Sequence, residues 1–255
     1  MDNTVLVSLS RQSALRRELE IVANNIANLN TTGFKADGAV FSEFLRPGAA
    51  SEGFSGADQR ISFVQGSASW HDMSPGTIQQ TGNPLDVAID GNGMLVVQTP
   101  RGERYTRNGA LQIGPTGELV TSNGDPVLGD AGPIKLQPSD KDIMIAKDGT
   151  IKVREGVAVT TDSTRGRLRL VSFSNPQQLQ KDGTSMFKAP DGVAPEPAVK
   201  VNVVQGAIEK SNVRSVVEVT RMIEITRAYT EVAGILQQQS DLRRNSIQQL
   251  ADVPA

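Results

Sequence analysis

The chain has 255 residues, long enough to bury a core without disulfide or metal staples. Its 26 basic and 28 acidic side chains leave a net charge of −2, which argues against a nucleic-acid partner. With no cysteine and one histidine, His71, disulfides, thiol chemistry and the ordinary Cys/His zinc sites are excluded.

Glycine and proline divide the chain. Residues 1–32 contain neither, and beyond Gly206 only Gly234 and Pro254 occur. Glycine costs about 1 kcal/mol and proline about 3 kcal/mol inside a helix, so both ends are predicted helical and the middle turn-rich. The first helix is predicted over about 4–29. Leu15, Leu19, Val22, Ile26 and Leu29 recur at 4-3-4-3 spacing, a coiled-coil seam. Asn24, Asn25, Asn28 and Asn30 crowd its end, as a fraying terminus or as amides with partners.

Residues 33–83 hold little regular pattern and read as an extended connector. From Pro84 to about Ala189 the period falls to two. Segments at 85–89, 94–99, 110–113, 118–121, 143–146, 151–154 and 167–173 alternate or are β-branched, with glycine-rich turns between them. That spacing predicts an antiparallel, sandwich- or barrel-like β domain, placed at 84–200. The stretch 167–173 alternates most cleanly, with Leu168 and Leu170 on one face.

The last helix is predicted over about 212–250, with Ser215 and Glu218 at capping-box spacing. Val216, Val219, Ile223, Thr226, Thr230 and Ala233 make one seam; Met222, Ile225, Tyr229, Val232 and Leu236 make a second. A two-helix pair needs only one, so the other calls for burial from a second direction. Arg214, Glu218, Arg221, Glu224, Arg227 and Glu231 alternate in sign, as a solvated face or as contacts to neighbours. The expected fold is α+β: an N-terminal helix (1–32) paired antiparallel and coiled-coil-like with a C-terminal helix (201–255), the β domain inserted between them.

Catalytic motifs are not found. Gly91-Asn92-Gly93 lacks the third glycine of a dinucleotide loop, and Ser185 and Lys188 match Ser-x-x-Lys without its companion motifs. His71 has no orienting partner in sequence. No cofactor or metal site is expected. No apolar run reaches the roughly 20 residues of a membrane span. The opening residues lack the order of a cleavable signal peptide.

Three segments resemble bacterial flagellar rod and hook proteins. The run Ala23-Asn24-Asn25-Ile26-Ala27-Asn28-Leu29-Asn30-Thr31-Thr32-Gly33-Phe34-Lys35 is similar to their N-terminal signature. Gly206-Ala207-Ile208-Glu209-Lys210-Ser211-Asn212-Val213, with Met222-Ile223 and Arg227-Ala228-Tyr229, resembles the C-terminal one. Thr81-Gly82-Asn83-Pro84-Leu85-Asp86 and Arg104-Tyr105-Thr106-Arg107-Asn108-Gly109 resemble the central segment of the rod members. Met94-Leu95 departs from the aromatic residues usual there, and Arg214 from an acidic one.

The resemblance implies a structural subunit of the basal-body rod that transmits torque from motor to hook. A proximal-rod place is expected, with a distal-rod or hook-type place as the alternative and a periplasmic wall-acting enzyme as a remote one. It implies other rod proteins and copies of the same chain as partners. Export is expected through the flagellar type III apparatus into the periplasmic rod, without a cleaved leader. Nucleic acid, membrane insertion and a small-molecule substrate are not expected. Leu15, Leu19, Val22, Ile26, Leu29, Val216, Val219, Met222, Ile223, Ile225, Tyr229, Val232 and Leu236 would pack the axial tube. Asn24, Asn25, Asn28, Asn30 and Arg227 would set register.

Overall fold

The computed structural model describes residues 2–47, 60–155 and 161–251. The chain divides into two compact units. One is drawn from Met1–Ala27, Asp37–Trp70 and Arg214–Ala255, the other from Asn28–Ala36 and His71–Val213.

In the first unit, helix α1 spans Asp2–Ala27 and helix α2 spans Ser215–Ala251. Neither contains proline, and only Gly234 interrupts two runs otherwise tolerant of helix. They pass antiparallel: Arg221 meets Glu18 at 2.6 Å, while the earlier Glu218 meets the later Asn25 at 3.4 Å. With 26 and 37 residues they measure about 39 and 56 Å. Counted from the Glu18–Arg221 contact, α1 runs out opposite about residue 237 of α2. Residues 240–249 are all exposed.

The first helix ends two residues earlier than the sequence pattern predicts and the second starts three residues later, and side chains explain why. Beyond Ala27 the carbonyl of Asn28 accepts the Thr31 amide in a turn. Asn212 stays outside α2 because its side chain is used in the β unit, accepting from Ala36 N and donating to Asp72 O. The expected capping box does not form: the Arg214 carbonyl accepts the first helical bond, and the Glu218 carboxylate accepts from Asn25 instead.

Over the expected connector, 33–83, the structure has strands at Asp37–Pro47 and Arg60–His71, paired with each other, and at Ile78–Gln80. Residues 48–59 of that stretch lie outside the described residues. Ile78–Gln80 is exposed throughout and held by backbone pairing with Ala207–Glu209, so it has no hydrophobic period to show.

The second unit is built on a six-stranded antiparallel sheet. Its order is Gln180–Lys181, Met186–Lys188, Gly102–Thr106, Met94–Thr99, Leu170–Ser172 and Glu196–Pro197. Leu95 and Val97 point into one core with Val87, Leu119, Ile151 and Leu168. Met94 and Val96 point into the other, with Tyr105, Val171 and Phe187. Both faces of this strand are covered, which is why it reads as an unbroken apolar run.

Smaller sheets complete the unit, and among the described residues none closes into the barrel that one form of the expectation allowed. The alternation over 167–173 places Leu168 and Leu170 on one face, and both pack on the first core, but the stretch is not a single strand. The chain changes sheets there: Thr161–Arg167 pairs with Thr150–Glu155, and Leu170–Ser172 pairs with Met94 and Leu95. Val171 rather than Leu170 is fully buried as a result. No helix among the described residues is long and apolar enough to cross a membrane.

Candidate functional site

The helical unit sorts the two seams of α2. Ile225 and Val232 are buried, and Met222, Tyr229 and Leu236 half-buried. Val216 is 78% exposed, while Val219 and Ile223 stand about half exposed, with Arg227 in solvent. On α1, Val22 is fully buried and Leu15, Leu19 and Ile26 are half-buried; Leu29, past the helix end, is half-buried too. Among the described residues, one apolar stripe of α2 is therefore largely covered and the other stands half to three-quarters exposed.

The four asparagines separate likewise. Asn25 is buried, and its amide brackets the backbone of one residue: Oδ1 accepts from Asp37 N and Nδ2 donates to Asp37 O, each at 2.9 Å. The same Nδ2 approaches Glu218. Asn28 accepts from Thr31 Oγ1, whereas Asn24 and Asn30 are exposed. In the charge ladder, Arg221 donates to Glu18 through Nε and Nη2, at 3.0 and 2.6 Å. Gly38 leaves room for the indole of Trp70, which a Cβ there would meet at 2.3 Å.

The β unit holds a second constellation that the sequence reading did not assign. Lys35, Arg107 and Glu209 are all at least 95% buried. Glu209 accepts from Lys35 Nζ at 2.6 Å and from Gly76 N at 2.8 Å on Oε1, and from Arg107 Nη1 at 3.0 Å on Oε2. Lys35 also donates to Ser74 O, and Arg107 to the carbonyls of Ile89 and Gly91. Burial pushes the Lys35 amine below the usual lysine range, against the opposing pull of Glu209.

Local structure brings the three together. Gly33, at φ +67°, donates its amide to the Glu209 carbonyl and lies so close to Arg107 that a Cβ would meet that residue's backbone at 2.4 Å. Phe34 is buried beneath the Lys181 ammonium, 3.8 Å from the ring centre. Lys35, Arg107 and Glu209 come one each from the N-terminal, central and C-terminal signatures. The available signal was that a buried-type constellation needs charges of both signs within otherwise structural motifs. His71 is buried edge-to-face against Phe187.

The fold is that of a two-part chain: helical ends that pair with each other, an exposed apolar stripe on one of them, and a β unit in which the three signature segments meet. Comparison with known proteins makes this specific. Residues 6–35 match the model of the flagella basal body rod protein, 88–153 that of the flagellar hook protein FlgE/F/G D1 domain, and 204–250 that of the flagellar basal body rod FlgEFG protein C-terminal. The chain is 39% identical to the flagellar basal-body rod protein FlgF of Caulobacter vibrioides, over 99% of this chain and 100% of that one. It is 36% identical to FlgF of Salmonella typhimurium over 90% of both. It is 31% identical to the rod protein FlgG of Bacillus subtilis, over 89% of this chain and 91% of the relative. The chain belongs to the flagellar basal-body rod protein family.

Proposed function

We propose that this chain is a FlgF-type, proximal-rod subunit with a structural rather than catalytic role, polymerising with other rod proteins and transmitting torque from motor to hook. The observation that carries the reading is the uncovered stripe Val216, Val219 and Ile223. Burying one such side chain is worth about 1.5–3 kcal/mol, so covering the stripe in a stack gives assembly a driving force that the free chain lacks.

On this reading the two helices at the ends, Asp2–Ala27 and Ser215–Ala251, form a coiled-coil-like axial part, the β strands at 202–209 staying with the β unit, and residues 84–200 form the body of an outer β domain. Leu15, Leu19, Val22, Ile26, Leu29, Met222, Ile225, Tyr229, Val232 and Leu236 pack the pair. Val216, Val219 and Ile223 meet neighbours, with Asn24, Asn25, Asn28, Asn30 and Arg227 fixing register. The chain travels through the type III apparatus to the periplasmic rod. A distal-rod place is the second reading, favoured by the similarity to FlgG proteins.

Ile223→Asp tests the role. The side chain is about half exposed, so the purified variant keeps its helicity and melting temperature while cells carrying it build no complete rod. Motile cells with normal basal bodies would exclude this stripe as the subunit contact.

A further inference from the structure

Beside the buried ion node the β unit contains a cavity of about 260 Å³, lined by Lys35, Met73, Asn92, Met94, Arg107 and Phe173, with Ser174 and Pro176 at its edge. We propose that this cavity receives a carboxylate, that of an acidic side chain on a neighbouring rod subunit, a site that rests on the rod-subunit reading above.

The lining contains two cations and an amide but no acidic residue. Lys35 and Arg107 share a single carboxylate, Glu209. Asp72 reaches Lys35 only through its charge, its Oδ1 being taken by Ser74 N. Glu196, exposed, accepts the hydroxyl of Ser174. Donor capacity is left over. Lys35 Nζ donates two bonds of a possible three, and Arg107 donates from Nη1 and Nη2 but not from Nε. Among the described residues no fully buried side-chain nitrogen lacks a partner, so this Nε keeps some accessible surface on a residue that lines the cavity.

The walls choose between anions. Met73, Met94 and Phe173 offer apolar contact to a methylene stem, which a hydrated inorganic ion would not use. The volume lies below the roughly 300–1,000 Å³ of ligand pockets, which suits a side chain better than a cofactor. A carboxylate entering here meets donors already held in place by Glu209 and by backbone carbonyls, so little ordering is needed on binding.

Full-length soluble chain carrying methyl-labelled methionine tests the site, with N-acetylglutamate α-amide as probe and its glutamine counterpart as control. The Met73 and Met94 methyls are expected to shift saturably in the millimolar range, with binding about tenfold weaker for the uncharged control. Equal responses to the two probes, or no saturable response, overturn the site. Met94→Phe puts a bulkier ring into the cavity without changing a charge and should silence the Met73 methyl; because Met94 also packs in the second core, its melting temperature should fall modestly while the chain stays folded. A response that survives overturns the placement. Asn92→Glu supplies a carboxylate at the rim: its methyls should ignore the probe, and its cells should fail to complete rods. Motile cells with a silent cavity overturn the neighbour as occupant. The Ile223→Asp result is independent of all three, so failure of this site is distinguishable from failure of the rod reading.

Discussion

Glu209 holds the centre of the β unit together, because two buried cations depend on it. Glu209→Gln leaves Lys35 and Arg107 with a neutral amide between them. Removing one partner from a buried ion pair costs about 3–5 kcal/mol, and this substitution should fall in that range. Lys35→Met leaves the Arg107–Glu209 pair whole and removes an amine whose burial is already unfavourable, so it should cost less than half as much. Urea unfolding of the two variants gives the comparison, and equal costs would show that the node does not act as a triad. Two aspartates paired with arginines contribute to the acid side of the stability curve. Arg165 holds Asp140, and Arg104 holds Asp182, below the ordinary carboxylate range, chiefly by side-chain hydrogen bonds. Their folded values lie under their unfolded ones. Each contribution is therefore complete above the unfolded value of about 4 and is lost as pH falls through the lower folded value. Asp182→Asn should lower stability at neutral pH and flatten its decline in acid, as followed by thermal melts between pH 7 and 2; a decline as steep as in the parent chain would remove Asp182 from this role.

At the scale of elements, what the sequence disclosed depended on whether burial left a period behind. The terminal helices were legible because glycine and proline avoid them and because their seams repeat, and Met94–Thr99 because both its faces are covered. Gly102–Thr106 lies at the centre of the same sheet yet was passed over. Its inward Arg104 looks like a surface residue until Asp182, 78 positions away, accepts from its Nε at 2.6 Å. Asn202–Gln205 and Ala207–Glu209 were absorbed into the last helix region, although they pair with Val87–Asp90 and Ile78–Gln80. Partners so distant in sequence leave no local trace. The ion node escaped for the same reason: Lys35 and Glu209 stand 174 residues apart, and only the fold shows that the three signatures meet. The helix seams, in contrast, were named residue by residue, with Ile225 and Val232 on the covered side and Val216 and Ile223 on the bare one.

For the molecule as a whole, the two units should differ in how readily they open. Opening free energy follows the apolar surface and hydrogen bonds that a segment has buried, so it is not uniform along a chain. Met94–Thr99 and Gly102–Thr106 sit between two cores, and Asn202–Gln205 and Ala207–Glu209 are tied in by strand pairing and by the Glu209 ion pairs. In α2, Ile225 and Val232 have cover, but residues 240–249 are all exposed, Leu242 and Ile247 more than half. Isolated helical turns are marginal in water. Hydrogen exchange on the dilute chain should therefore be slowest in those four strands, intermediate around 222–232 and fastest in the described helix beyond residue 240. That order gives the C-terminal segment around 203–209 the opposite behaviour from the helix that follows it. In assembled rods the amides around 216–223 and beyond 240 should slow by about tenfold or more, as coverage adds roughly 1.4 kcal/mol or more to the cost of opening. If the dilute chain already protects residues beyond 240 as strongly as those around Ile225, the end of α2 completes its fold alone and assembly supplies none of its stability.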